Sequence, residues 1–145
     1  MQLILWRHAD AEDGSPDLER RLTASGRDDA AAVAQWLRQR LAADFELVTS
    51  PAVRARQTAE ALRQDMRTDK RLAPGAPVDA ILAAAGWPSA AGTVVIVGHQ
   101  PDFGRAVAFL LSGKAIEWPL KKAGFWWLSN EDPLAVKAVL SPDLL

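Results

Sequence analysis

The sequence predicts an α/β protein: a mostly parallel sheet held between helices in a three-layer α/β/α sandwich, with an antiparallel strand at the sheet edge. Three observations predict it. Short unbroken apolar runs recur along the chain at the length of buried strands, and segments with helical spacing separate them. The last two strand-like runs are joined by turn residues rather than a helix, as in an antiparallel hairpin. Strand–helix repetition implies right-handed crossovers that place helices on both faces of the sheet.

The elements follow in order. LILW, residues 3–6, is a short continuous apolar run suited to a strand covered on both faces. After a polar, turn-rich stretch around 13–17, TASGRDDAAAVAQWLRQRLAA reads as a helix. Its Ala30, Val33, Ala34, Leu37 and Leu41 share one face, while Arg27, Asp28, Arg38 and Gln39 fall elsewhere. ELVT, residues 46–49, is the second strand. Ser50 is a candidate helix cap and Pro51 suits a first helical position, which predicts a helix to about residue 62 with Ala55, Thr58, Ala59 and Leu62 on one side. Arg71 and Leu72 read as part of a strand, APGAP as a loop, and residues 78–85 as a short helix ended by Gly86. TVVIV at 93–97 is a strong buried-strand pattern. A turn through Gly98, His99 and Gln100 leads from it into a helix over 101–112, stopped by Gly113. FWWLS and AVKAVL, separated by the turn-rich NEDP, form the expected edge hairpin. Adjacent Trp126 and Trp127 must face opposite sides of their strand.

Composition narrows the function. A chain of 145 residues, 49% apolar and 24% charged, fits one domain over residues 1–145 with one core. A net charge of −1 gives no polybasic surface for nucleic acid or anionic lipid, so any anion site must be a local cluster. The absence of cysteine removes disulfides, thiol nucleophiles and thiolate metal sites, and fits a reducing compartment. No apolar run approaches the roughly 18 residues of a membrane span, and a cytoplasmic location is expected. Six tryptophans are many for this length; they serve either as interface anchors or, as is commoner, as core.

The local cluster can be located. In open parallel sheets ligands bind beyond the carboxyl ends of the strands, and three strand-like runs end there in WRHAD, VTSPAVR and VGHQP. If those strands are neighbours, Arg7, His8, Arg54 and His99 converge. A single histidine after a strand is ordinarily a loop residue. Here both histidines of the chain hold that position. Two guanidiniums repel a metal cation and attract an oxyanion that accepts paired hydrogen bonds, and phosphate fits best. Arg54 lies in the first turn of a predicted helix and Pro101 opens another directly after His99, so helix dipoles add to the attraction. Nearby cations hold at least one imidazole, taken to be His8, neutral and nucleophilic. The other, protonated beside a phosphate dianion, is suited to donate to a non-bridging oxygen.

LILWRHADAE, RRLTASG, SPAVRARQTAEAL and VIVGHQP occur in this order and span nearly the whole chain. They resemble the motifs of the histidine phosphatase superfamily, and specifically its short bacterial branch of SixA-type phosphohistidine phosphatases. The resemblance implies a phosphoglycerate mutase-like fold and a nucleophilic His8 that becomes phosphorylated. It further implies a phosphate pocket of Arg7, Arg54 and His99 that Arg20 reaches, and no cofactor or metal.

Departures from the family pattern sharpen the expectation. Ala9 stands where the broader superfamily has glycine, and Arg21 replaces the proline that usually follows the arginine at Arg20. LAPGAPVDAIL lacks the glutamate that larger members use as general acid. An alkoxide leaving group needs a proton, whereas imidazole departs from phosphohistidine far more readily. The expected substrate is therefore a phosphohistidine-bearing protein, for example a phosphotransfer domain, and the short chain leaves little room for a lid. Asp10, Glu12 and Asp102 are the candidate acids. Alternatives are a small phosphate ester as substrate, a non-catalytic phosphoprotein-binding module, and a metal site of His8, Asp10 and His99, which the arginines disfavour.

Overall fold

The apolar runs pair into one sheet in the computed structural model, which describes residues 1–131 and 133–145. The strands are β1 (Gln2–Arg7), β2 (Glu46–Thr49), β3 (Arg67–Thr68), β4 (Thr93–Gly98), β5 (Phe125–Ser129) and β6 (Ala135–Leu140). Their order across the sheet is β3-β2-β4-β1-β5-β6. The first four in sequence pair with one another in parallel, and β5 runs antiparallel to both β1 and β6. The predicted hairpin thus closes one edge of the sheet. Asp132, in the NEDP joint, lies outside the described residues.

Alternation along the strands divides the interior into two layers. Ile4 and Trp6 of β1 face the same side as Val95, Val97, Phe125 and Trp127. They are covered by helices α1 (Ala24–Arg38) and α2 (Val53–Glu60) through Val33, Leu37 and Ala55. Leu3 and Leu5 face the other side with Val94, Ile96 and Leu128. Ile81 of α3 (Val78–Ala85) and Phe103 and Val107 of α4 (Asp102–Ser112) pack on them there. A fully buried aliphatic side chain contributes about 1.5–3 kcal/mol. β1 and β4 therefore contribute buried side chains to both layers.

Helix boundaries follow local chemistry. Thr23 caps α1 by accepting from the Gly26 amide at 2.9 Å, and the helix ends at Arg38; Leu41 packs on the core from beyond its end. α3 and α4 stop at Gly86 and Gly113, both left-handed with φ of 68° and 78°. The strand expected at Arg71 and Leu72 is not there. Asp69 accepts from the Arg71 amide at 2.9 Å and winds residues 70–72 into a 3-10 turn, so the strand is the preceding pair Arg67–Thr68. None of the six tryptophans is fully exposed: Trp6 and Trp127 are buried, and Trp36, Trp87, Trp118 and Trp126 are half-buried. Among the described residues no helix is long and apolar enough to cross a membrane.

Candidate active site

The sheet order makes β2, β4 and β1 consecutive, so the residues that follow their carboxyl ends must meet. Arg7 lies opposite Gly98 and Thr49 opposite Val97. His8 continues the ladder by donating its amide to the Gly98 carbonyl at 3.0 Å, and its own carbonyl accepts from the Ala123 amide at 3.1 Å. Behind it, α1 docks tightly on the loop that leaves His8. A side chain at Gly26 would meet the Asp10 carbonyl oxygen 2.1 Å from its Cβ. The glycine of RRLTASG is thus a matter of close approach.

Three of the four expected residues touch. Arg54, 4% exposed, donates from Nε to His8 Nε2 at 3.3 Å and from Nη2 to His99 Nδ1 at 3.5 Å. The imidazole centroids are 5.2 Å apart. A guanidinium only donates, so both contacted ring nitrogens must carry lone pairs. His8 then bears its proton on Nδ1, which donates to the Ala9 carbonyl at 2.7 Å, and Nε2 is the basic atom. His99 bears its proton on Nε2 and donates to the Ser50 hydroxyl at 2.8 Å. Arg7 completes the group through its charge, which acts on both imidazoles. Its Nη1 donates to the Leu120 carbonyl at 2.8 Å, while its buried Nε has no acceptor among the described residues. An unmet buried donor on a cationic side chain favours an anionic acceptor.

Electrostatics keep the rings neutral. Burial first, then the charges of Arg54, Arg7 and Arg20, lowers His8 to about 4. Burial, His8 and Arg54 lower His99 to about 3. A protonated His99 therefore needs the charge of a bound anion beside it.

The remaining expected residues are placed differently. Arg20 makes no hydrogen bond to the imidazoles among the described residues, although its charge acts on His8; its Nε donates to the Glu12 carbonyl at 2.8 Å and its Nη1 to Asp17 Oδ1 at 3.0 Å. Asp10 accepts from Lys122 Nζ at 2.6 Å and from the Thr23 hydroxyl at 3.0 Å. Asp102 Oδ2 accepts from the Gly75 and Ala76 amides, strapping the APGAP loop to α4. Among the described residues no three His, Asp or Glu side chains are grouped to hold a metal.

Two residues of the site escaped sequence reasoning. Ser50 is not the side-chain cap of α2, whose N-cap is Ala52 without a side-chain bond. Its hydroxyl oxygen instead accepts from the Ala52 amide at 3.2 Å and from His99 Nε2–H at 2.8 Å. Asp17 was part of an unremarkable acidic turn, yet it holds the outer end of Arg54. Its carbonyl accepts from Nη1 at 2.8 Å and its Oδ2 from Nη2 at 3.1 Å. The only sequence signal is its distance of three residues from Arg20.

A guanidinium gripped at one end by Asp17 and presenting Nε and Nη2 between two neutral imidazoles can receive a tetrahedral oxyanion, with a lone-pair nitrogen beside its central atom. Such chemistry, on a sheet of this topology, defines a phosphatase. Residues 3–75 match the family model of the histidine phosphatase superfamily (branch 1). An uncharacterized protein of Picosynechococcus sp. is 41% identical over 138 residues, 86% of this chain and 82% of that one. The phosphohistidine phosphatase SixA of Escherichia coli (strain K12) is 29% identical over 123 residues, 79% of this chain and 76% of its own. The solved structure of the protein histidine phosphatase SixA complexed with tungstate superposes with a TM-score of 0.83 at 25% identity, covering 99% of both chains. The chain belongs to the histidine phosphatase superfamily, in its SixA-type branch, and its fold is phosphoglycerate mutase-like.

Proposed function

We propose that the protein hydrolyses protein phosphohistidine through a phosphohistidine intermediate on His8. The observation that carries this reading is the His8 ring itself. Its Nδ1 proton is committed to the Ala9 carbonyl, which leaves the Nε2 lone pair on the Arg54 fork, 3.3 Å from Nε. In the first step that lone pair attacks phosphorus while the substrate's P–N bond breaks, its electron pair going to the departing imidazole. In the second, water attacks the phosphorus, the bond to His8 breaks, and phosphate leaves. Arg7, Arg54 and an anion-protonated His99 hold the equatorial oxygens in both steps. No step requires a metal, and two guanidiniums disfavour one.

A phosphoramidate substrate is supported by the acids of the site. Two of the three acids named from the sequence are occupied as acceptors, Asp102 of the Gly75 and Ala76 amides and Asp10 of Lys122. A relative that bears the name phosphohistidine phosphatase, and a structural neighbour solved with tungstate, itself a tetrahedral oxyanion, agree with this assignment. The partner is then a folded protein displaying phosphohistidine, such as a phosphotransfer domain. The test is incubation with labelled phosphohistidine protein. The wild type should acquire an acid-labile, base-stable label and release phosphate, and His8→Ala should lose at least about a thousandfold in kcat/KM. Near wild-type turnover by His8→Ala would refute the assignment. Reversible binding without label in the wild type would make the protein a binding module.

A further inference from the structure

We propose that Asp17 sets the leaving-group preference of the site, accepting the N–H of a departing imidazole and so favouring phosphoramidates over phosphate esters. The inference rests on the phosphohistidine reading above and assigns a residue to its selectivity. In-line displacement requires the leaving group to depart on the side of phosphorus opposite His8 Nε2. The Arg54 guanidinium gives that direction: Nε touches His8, which is 9% exposed, and the far end carries Asp17, whose side chain is 57% exposed. The path from His8 to Asp17 is the path from the buried floor to the mouth. Asp17 is the carboxylate that a leaving group passes.

Its protonation state decides what it can do there. Arg20 and Arg54 both donate to its side chain and lower its pKa from the ordinary carboxylate value. A carboxyl kept ionised cannot donate a proton to an alkoxide, so it does not replace the missing glutamate. It can accept one hydrogen bond more. A phosphohistidine ring protonated on its second nitrogen is the better leaving group. When the P–N bond breaks, the electron pair neutralises the ring and the N–H remains. An acceptor anion facing that N–H stabilises the protonated ring from binding through departure. An ester oxygen offers no such donor and meets a negative charge instead.

The experiment compares kcat/KM for a phosphohistidine peptide and for an aryl phosphate, whose leaving group needs no proton, in the wild type, Asp17→Asn and Asp17→Glu. Both activities should fall in Asp17→Asn, because Arg54 loses part of its clamp. The ratio of phosphohistidine to aryl phosphate should fall by a further tenfold or more, and Asp17→Glu should restore most of it. A ratio constant within about threefold would overturn the proposal and leave Asp17 as a positioning residue of Arg54. If Asp17→Asn does not fold, the Asp17→Glu ratio and a wild-type comparison of phosphoimidazole with its N-methylated analogue, which lacks the N–H, take its place; equal acceleration of both would refute the role. Failure of the underlying reading shows separately, as a wild type that hydrolyses the ester and not phosphohistidine.

Discussion

Lowering the pH from about 7 to about 5 should cost the fold roughly 2 kcal/mol for each of His8 and His99. Both rings are held neutral, His8 at about 4 and His99 at about 3 against an ordinary 6.5. As pH falls through 6.5 the unfolded chain takes up a proton on each ring, while the folded chain refuses it until the lower value is reached. In that window the unfolded state binds more protons, so stability declines with acidification. It is fully present above the unfolded value. At about pH 5 the unfolded imidazole is almost wholly charged and the folded one almost wholly neutral, a population ratio of roughly thirty, or about 2 kcal/mol per ring. The two add at this pH because neither ring is charged in the folded state. About 4 kcal/mol is a large part of a typical stability of 5–15 kcal/mol. Urea unfolding at the two pH values measures it, with His8→Gln/His99→Gln as the control that keeps the carboxylates. The wild type should lose about 4 kcal/mol more than the double variant. Equal losses would show that the pocket does not keep its imidazoles neutral.

Two further outcomes follow from the same contacts. Ser50→Ala removes the acceptor of the His99 Nε2 proton at 2.8 Å; kcat should fall about tenfold with a smaller change in KM, and unfolding should show a loss of about 1–3 kcal/mol. Ile96→Ala empties a fully buried site on the central strand β4 and should cost about 2–5 kcal/mol in urea unfolding.

Much of the architecture was legible because burial on both faces leaves a strong mark. LILW and TVVIV read as strands since nothing polar interrupts them, and Gly86 and Gly113 closed their helices as left-handed residues do. The two histidines were conspicuous for a geometric reason: each follows such a run, and adjacency of β1 and β4 then brings them within 5.2 Å. Other features left no periodic trace. β3 is two residues long, too short for any alternation, and Asp69 bends the chain where Arg71 and Leu72 looked extended. Ser50 before Pro51 carries the local signature of a cap, and only a partner 49 positions away gives its hydroxyl another use. Asp17 sat among Asp13, Glu12 and Glu19 with nothing local to distinguish it. Its meaning comes from Arg54, 37 positions on.

The backbone of His8 is tied on both sides, to Gly98 through its amide and to Ala123 through its carbonyl, directly after a strand buried on both faces. A side chain mounted in this way has little slack. Accommodation of phosphorylated substrates of differing bulk then falls to the exposed turn at 12–19, whose Asp17 grips Arg54. Swapping that turn between relatives should retune which substrate is served while leaving His8 where it is.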